Sequence, residues 1–379
     1  MLYLDHAATA PIRPEVLDAM RPYLTGVFGN PSSHHTYGEA AANALDDARS
    51  RVARVLGMRA GDVVFTAGGT EANNLAVKGI VLAALADGRR HLVISPIEHE
   101  SILESADYLR RFHGVEVSAA AVDTRGRISA SSLRTAVRED TALVAVGHAN
   151  NEIGTVQDVA SLAEVTRAAG VPLHVDAVQS AGWLPLTGLG ADAIAIAGHK
   201  FGAPKGIGAL AVRGRVPLEP LLHGGGQERG RRSGTENVAG AVGLAVALGL
   251  AEAERHTVSV QIGATTQRFI AGLLSAVPQA VLTGDPDRRL PGTASFTFAG
   301  VSGEAVLLEL ERRGVVSSSG SACAAGSDEP SHVLLACGVV PSVAQSSVRF
   351  TFGRTPLSDD LPDRLAALVA DSVRAVVGA

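Results

Sequence analysis

The chain of 379 residues has only two cysteines, Cys323 and Cys337, and no apolar run long enough for a confident membrane span. So few cysteines argue against a disulfide and favour a reducing compartment. The longest apolar helical pattern, AGAVGLAVALGLAEAE at 239–254, is too short and too rich in glycine to cross a bilayer, and predicts a buried helix. No apolar leader opens the chain, because Asp5 and the charged segment at 13–22 come early, so we expect a cytoplasmic protein.

The charges are nearly balanced and are not segregated. Thirty-three Lys and Arg residues stand against 38 Asp and Glu residues, a net charge of −5, with no run of one sign. This balance argues against a protein that binds nucleic acid or a membrane surface through bulk electrostatics. The length is too great for one ordinary core and predicts two domains.

The most informative stretch is AIAIAGHKFGAPKGIGAL, which places Lys200 between two apolar runs. The runs predict buried strands, and the glycines between them predict a turn. A lysine in such a place either pairs with a buried acid or acts as an amine nucleophile, because desolvation favours its neutral form. These residues alone leave both alternatives open. Asp176, which ends an apolar strand just upstream, suits a pyridoxal phosphate site, where an acid keeps the pyridine nitrogen protonated.

Strand and helix patterns alternate through the middle of the chain, from HLVIS at 91–95 to PLHVD at 172–176. This rhythm predicts an α/β fold with a mostly parallel sheet covered by helices on both faces. Ligands bind such sheets at the carboxyl ends of the strands. Polar pairs follow several of these strands: Glu98 with His99, Asn150 with Asn151, and His199 with Lys200. The pattern therefore predicts a site at this edge of the sheet.

A glycine-rich turn precedes another predicted helix in VVFTAGGTEANNLAVKG. A strand that ends in glycines before a helix presents backbone N–H groups and the helix dipole to an anion. Alone, this is a weak signal, because most such turns are only turns. Beside a lysine that binds pyridoxal phosphate, Gly69 and Thr70 become the candidate phosphate site.

Four longer blocks carry a family resemblance: HVDAVQS, AGHKFGAPKGIGAL, HGGGQERGRRSGTENV and SSSGSACAAGSDEPSHVL. They resemble the signature blocks of bacterial cysteine desulfurases of the NifS/IscS type, within the class V aminotransferase family. The match runs from YLDHAATAP to SSVRFTFGR, nearly the whole chain. The resemblance implies a fold-type I enzyme with a sheet of the seven-stranded type in a large domain, 13–255. A smaller α+β domain would comprise 1–12 and 256–379, with the helix HTVSVQIGATTQRFIAGLLSAV marking the crossing.

The resemblance also implies the chemistry and its residues. L-cysteine would be converted to L-alanine by pyridoxal 5′-phosphate held as a Schiff base on Lys200, and the sulfur would pass to an acceptor. The catalytic residues would be Cys323, Lys200 and His99. The cofactor would be held by Gly69, Thr70, His99, Asn151, Asp176, Gln179, His199, Lys200 and Thr235. The substrate would be held by Asn30, Asn151 and Arg349.

Several of these positions have a simpler interpretation. Asn30 precedes a proline and suits a turn, and His99 suits a helix cap. The loop around Thr235 could be a flexible basic loop, whereas the resemblance makes Thr235 a phosphate ligand of the neighbouring subunit and so predicts an obligate homodimer. Arg349 could be an exposed rung of a strand. One position departs from the family, because Ala197 stands where a serine is frequent, and we expect cofactor binding to be modestly weaker.

The two cysteines have different surroundings. Cys323 lies in a run of small polar residues at 315–332 that predicts a mobile, accessible loop. Cys337, in VLLACGVV, has apolar flanks that predict a packed core thiol. Neither has a second Cys or His at the spacing of a zinc site. Cys323 is therefore the candidate nucleophile, which would take sulfur from the substrate as a persulfide.

Other functions remain compatible with parts of the sequence. A selenocysteine lyase or a transaminase would share the fold, but a transaminase needs no cysteine in a mobile loop. A catalytically idle scaffold would need none of Lys200, Asp176 and Cys323. The acceptor of the sulfur is not encoded in any recognisable motif.

Overall fold

The computed structural model of the protein describes residues 1–320 and 329–378, so Cys323 lies outside the described residues. Short 3-10 turns occur at Ala60–Asp62, Leu85–Asp87, Gly198–Lys200 and Glu228–Gly230. The strands are β1 (Leu2–Tyr3), β2 (Val63–Thr66), β3 (His91–Ile94), β4 (Glu116–Ala119), β5 (Thr141–Gly147), β6 (Leu173–Asp176), β7 (Ala193–Ala197), β8 (Gly208–Val212), β9 (Ala280–Leu282), β10 (Thr293–Phe298), β11 (Val315–Val316) and β12 (Val348–Thr351). The helices are α1 (Pro14–Thr25), α2 (Thr36–Leu56), α3 (Gly69–Ala84), α4 (Glu100–His113), α5 (Ala130–Ala136), α6 (Val159–Ala168), α7 (Val238–Ala276), α8 (Gly303–Arg312), α9 (His332–Ala336), α10 (Pro341–Ala344) and α11 (Leu361–Val377).

A seven-stranded sheet organises the first two thirds of the chain, in the order β2-β8-β7-β6-β5-β3-β4. Strands β7, β6, β5, β3 and β4 are parallel to one another, whereas β8 is antiparallel to both β7 and β2. Every residue of β2, β3, β6, β7 and β8 is buried. Such continuous apolar strands are typical of a sheet covered on both faces. The α/β fold with a mostly parallel sheet is confirmed.

Separate hydrophobic cores lie in the two parts of the chain. One face of the large sheet packs against α1, α2 and α7, and the other face packs against α3 and α4. A further core joins the end of α7 to β10, β12 and α11, and contains four aromatic rings that meet edge to face: Phe269, Phe296, Phe350 and Phe352. These cores support the expected division near residue 255, which stays a prediction.

Helix α7 crosses between these cores without a break. The sequence predicted two helices here, at 239–254 and from His256 onward, but one helix of 39 residues covers both segments. No proline interrupts it, and one of its glycines serves packing: a Cβ at Gly243 would lie 2.6 Å from the sulfur of Met20. Among the described residues, no helix combines the length and hydropathy that a bilayer crossing requires.

The first residues of the chain pack against its last third. Strand β1 pairs in parallel with β11, and Asp5 forms an isolated bridge with Thr351. The Thr351 amide donates to the Leu4 carbonyl at 2.7 Å, and the Thr351 hydroxyl accepts from the Ala7 amide at 2.9 Å. These bonds carry the segment after β1 to the carboxyl edge of the large sheet.

Candidate active site

A cavity of about 250 Å³ lies at the carboxyl ends of the central strands. Its walls come from the turns that follow β2, β3, β5, β6 and β7, as the alternation of strands and helices predicts. Eight of the predicted site residues line this one cavity: Gly69, Thr70, His99, Asn151, Asp176, Gln179, His199 and Lys200. The structure therefore brings together residues from a stretch of sequence in which the first, Gly69, and the last, Lys200, are 131 positions apart.

Lys200 ends the 3-10 turn between β7 and β8. Its ammonium group donates to the carbonyl of Ala7 at 2.5 Å and to that of Ala8 at 3.0 Å. Gln179 donates from its side-chain nitrogen to the same Ala7 carbonyl at 3.0 Å. The amine at the centre of the site is thus held by the N-terminal segment, a role for Ala7 and Ala8 that no sequence pattern indicated.

Asp176 ends β6 and is buried, with 9% of its surface exposed. One carboxylate oxygen accepts from the Val178 amide at 2.9 Å, and the other accepts from the Asn73 side-chain nitrogen at 2.6 Å. Hydrogen bonds from donors to both oxygens stabilise the ionised form. Asn73 was not predicted, because a polar residue in an amphipathic helix gives no sign that it faces a strand 103 residues later.

A second carboxyl group, that of Glu98, also lines the cavity. Burial raises the pKa of Glu98 to about 8, and the nearby charge of Asp176 adds to the shift, against hydrogen bonds from Ser95 and Gly147. Glu98 is therefore mostly protonated at pH 7. The sequence placed Glu98 at a strand end but assigned it no role.

The two histidines of the site have defined ring partners. His99 caps helix α4, and its Nδ1 accepts from the Ser101 amide at 3.0 Å, so the neutral ring carries its proton on Nε2. Nδ1 of His199 lies 3.2 Å from the Thr9 hydroxyl. Burial and the charges of Lys200 and Lys205 lower the pKa of His199 to about 4, so this ring is neutral at pH 7.

The start of helix α3 forms a cradle suited to a phosphate group. Gly68 is the N-cap residue and provides no side-chain cap to the first helical N–H groups. A Cβ at Gly69 would lie 2.7 Å from a Val178 methyl and 3.2 Å from the Ala197 Cβ, so only glycine lets this backbone approach so closely. Together with Lys200 and an ionised acid at one cavity, the cradle fits pyridoxal phosphate. Ala197 contributes a methyl group here, as its sequence position implies.

Asn30 and Thr235 lie away from this cavity. Both are exposed in the described chain. The side-chain oxygen of Asn30 accepts from the Ser32 amide at 2.9 Å, which is the turn interpretation of its Asn-Pro sequence. Any contribution of these two residues to a site needs a rearrangement or a second subunit.

Arg349, on β12, is buried rather than an exposed rung, with 3% of its side chain accessible. One terminal nitrogen donates to the carboxylate of Asp5 at 2.7 Å. The other donates to the carbonyl of Asn151 at 2.9 Å and to that of Gly320 at 3.4 Å. Asn151 lines the cavity, so the guanidinium lies directly behind its wall. The partnership with Asp5, 344 residues away, was not predicted.

The described residues on either side of 321–328 are anchored beside the cavity. Gly320 is bound by Arg349, as above, and the Ser331 hydroxyl donates to the buried carboxyl of Glu152 at 2.5 Å. The ring of His332 lies 3.0 Å from the carbonyl of Glu98. Gly320 and Ser331, on either side of 321–328, therefore both lie next to the turn that follows β5.

Cys337, by contrast, is a core thiol, and this prediction is confirmed. It is 6% exposed and packs with Ile97, Ile153 and Val333. Burial raises the pKa of the Cys337 thiol to about 11, and the charges of Asp123 and Glu152 add to it. A thiol in this state is a poor nucleophile at neutral pH.

The loop that carries Thr235 is fastened to helix α2 by a buried ion pair. Arg49 donates to both carboxylate oxygens of Glu228, at 2.6 and 3.0 Å, and their side chains are 5% and 1% exposed. Glu228 and Arg229 both have positive φ, 50° and 59°, a conformation that non-glycine residues rarely adopt. The start of this loop is therefore held in one conformation. This differs from the alternative interpretation of a flexible basic loop.

A second cavity, of about 480 Å³, lies on the other side of Lys200. It shares Lys200 and Gln179 with the first cavity, and its lining includes the N-terminal segment, Trp183, part of α7 and the residues that follow β12. The Arg354 guanidinium lies 5.1 Å from the Trp183 ring centre. Lys200 is thus reached from two sides.

Comparison with known proteins gives a consistent family. The sequence profile of the aminotransferase class-V family matches residues 2–362. The chain is 43% identical to an IscS-like cysteine desulfurase of Mycobacterium tuberculosis, over 99% of this chain and 97% of that protein. It is 41% identical to the cysteine desulfurase IscS of Dictyoglomus turgidum, over 95% and 91%. A solved structure of a NifS-like protein superimposes with a TM-score of 0.90 at 33% identity, covering 98% of each chain.

Proposed function

Since the chain belongs to the aminotransferase class-V family, we propose that this cavity is where it carries out pyridoxal-phosphate-dependent desulfuration of L-cysteine. The chain is a cysteine desulfurase that depends on pyridoxal phosphate, as its full-length relatives indicate. The observation that carries the assignment of the site is the convergence of Lys200 and Asp176 with six other predicted residues on one cavity.

Pyridoxal phosphate supplies an electron sink for the α-carbon of the amino acid. In our proposal the Lys200 amine would hold the cofactor and move the α proton, and Asp176 would keep the ring nitrogen protonated. His99 would face the ring, and Asn151 and Gln179 would donate to its phenolic oxygen. The donors to both oxygens of Asp176 support this assignment, because they preserve its charge in a buried place.

The phosphate would be held by the start of α3, through Gly69 and Thr70, and by His199. Thr235 would complete the phosphate site of a neighbouring subunit. Its exposure and the fixed start of its loop support this role. Two exposed aromatic residues near Asn30, Phe28 and Tyr37, have ring centres 5.5 Å apart with their planes tilted by 38°, and would provide apolar surface for a homodimer.

Arg349 would bind the carboxylate of L-cysteine, for which its planar fork is suited. Its present anion is Asp5, so substrate would have to share or replace that partner. Asn30 and Asn151 would complete the substrate site. Two observations support this role for Asn151: it lines the cavity, and its carbonyl accepts from Arg349.

Sulfur transfer would belong to Cys323. Its thiolate attacks the sulfur of the substrate, the Cβ–S bond breaks, and the electron pair and a proton remain with the product, L-alanine. The products are alanine and a Cys323 persulfide, so the atoms balance without another reactant. The anchoring of Gly320 and Ser331 beside the cavity supports this assignment. The persulfide would then pass to an acceptor protein, with iron–sulfur assembly as one destination, in a reducing cytoplasm that keeps the thiol available.

Substitution of Lys200 tests the site. Lys200→Ala should fold, because the change removes no core packing, but it should lose the visible absorbance of the lysine-linked cofactor and all alanine production. Circular dichroism and an absorbance spectrum after addition of pyridoxal phosphate check this. Normal absorbance and turnover in the variant would reject the assignment.

The two cysteines provide a matched pair. Cys323→Ser should still bind the cofactor and L-cysteine but release essentially no alanine or sulfide, because a hydroxyl is a far poorer nucleophile toward sulfur. Cys337→Ser should lower stability by about 1–3 kcal/mol, through burial of a hydroxyl, and leave turnover nearly unchanged. Alkylation mapping locates the persulfide, and finding it on Cys337 would overturn the mechanism.

A further inference from the structure

One buried amide connects two groups of the site that lie on different elements. Asn73, on α3, is 1% exposed. Its Nδ2 donates to Asp176 at 2.6 Å and to the Ser101 hydroxyl at 2.9 Å, and its Oδ1 lies 3.0 Å from Nε2 of His174. All the hydrogen-bonding positions on its Nδ2 are used, and no water is needed to satisfy them.

The orientation of this amide follows from its partners. The ionised Asp176 can only accept, so the nitrogen of Asn73 must face it, and Oδ1 must then face His174. The His174 ring therefore donates from Nε2. Burial lowers the pKa of His174 to about 4, which keeps that ring neutral at pH 7. Rotation of the amide by half a turn would set an oxygen against a carboxylate at 2.6 Å.

The second donor of Asn73 acts on His99 through Ser101. Nδ1 of His99 already accepts from the Ser101 amide, so it cannot donate to the Ser101 hydroxyl 2.9 Å away. That hydroxyl must donate to Nδ1, and its oxygen accepts from Asn73. The chain of donors thus runs in one direction, from His174 through Asn73 and Ser101 to His99.

We propose that Asn73 is a positioning residue that sets the orientation of Asp176 and, through Ser101, that of His99. The inference rests on the proposed function, because it takes these two residues as the ones that contact the cofactor ring. A single side chain would then align the acid at the ring nitrogen with the imidazole at the ring face. Asn73 would act without touching the cofactor.

The test uses Asn73→Leu, which keeps the size of the side chain and removes its hydrogen bonds. The dissociation constant for pyridoxal phosphate should rise about 10- to 100-fold, as expected for loss of a hydrogen bond to a charged group. The pH midpoint at which the visible absorbance of the lysine-linked cofactor changes should also shift. In the cofactor-free protein, the ¹⁵N resonance of the His174 Nε2–H should move, because this donor loses its acceptor.

Asn74→Leu is the matched control. Asn74 lies on the same turn of α3 and donates only locally, to the Thr70 carbonyl at 2.9 Å. It should behave as the wild type in all three measurements. Should Asn73→Leu fail to fold, Asn73→Ala removes the same donors to Asp176 and Ser101 with a smaller side chain, so the same weakening is expected. Wild-type affinity and titration in a folded Asn73 variant would overturn the inference.

Ser101→Ala separates the effect of Asn73 on Asp176 from its effect on His99. It removes the link to His99 and leaves the bond from Asn73 to Asp176, so the dissociation constant for the cofactor should stay within about 3-fold of the wild type. An equal loss in Ser101→Ala and Asn73→Leu would mean that the effect is one of helix packing, and would also overturn the inference. Failure of the proposed function looks different, because the wild type itself would then bind no pyridoxal phosphate.

Discussion

Glu98 should make the folded protein less stable as the pH rises. Its carboxyl group ordinarily titrates near pH 4.5, and burial beside Asp176 raises the folded-state pKa to about 8. Between these values the unfolded chain has lost the proton and the folded chain keeps it. Because the folded state binds more protons in this window, stability is fully present below about pH 4.5 and is lost as the pH rises through 8.

The expected size follows from the same two values. One pKa unit corresponds to about 1.4 kcal/mol, and most of the interval between 4.5 and 8 lies between pH 5 and pH 8. Glu98 should therefore remove about 3–4 kcal/mol of unfolding free energy over that range. In Glu98→Gln the amide does not titrate, so the variant should gain that amount relative to the wild type from pH 5 to pH 8.

Urea unfolding of the cofactor-free protein at several pH values measures this difference. Only the change with pH matters, because any constant cost of burying the amide cancels. Glu104→Gln, an exposed position on helix α4, is the matched control and should follow the wild type at every pH. Parallel stability curves for the wild type and Glu98→Gln would refute the reasoning and place the Glu98 carboxylate in a well-solvated or paired state.

Three further predictions concern residues outside the cavity. Thr235→Ala should fold normally but retain the cofactor less well in dialysis, and a fully active monomer in sedimentation would refute the shared site. Arg349→Lys should raise the KM for L-cysteine by about 10-fold, because the bidentate fork is lost while the charge that pairs with Asp5 remains. An unchanged KM would remove Arg349 from the substrate site. Arg49→Met should lower the unfolding free energy by ~3–5 kcal/mol, because it leaves Glu228 charged and buried; adding Glu228→Gln should recover much of that loss in urea unfolding.

Local sequence patterns were sufficient for most of the large sheet. The apolar runs that became β3, β5, β6 and β7 are continuous, as expected for strands buried on both faces, and the polar residues that follow them had to converge. The prediction of two helices in place of α7 was wrong, because no residue near His256 stops a helix.

The parts of the site that the sequence did not predict depend on distant partners. Asn73 meets Asp176 across 103 residues, and Asp5 meets Arg349 across 344 residues. No repeating sequence pattern connects the two partners of either pair, and each residue is of a type that is common in its element. The protonation of Glu98 is equally invisible, because it results from burial beside one particular charge.

The attachment of the first residues to the last third of the chain has a consequence for biosynthesis. Ala7 and Ala8 emerge from a ribosome well before Thr351, yet their place against Lys200 depends on Thr351. Since domains fold as they leave the ribosome, the large sheet can form while this wall of the cavity is still missing. Stable capture of the cofactor therefore requires that synthesis has passed Thr351.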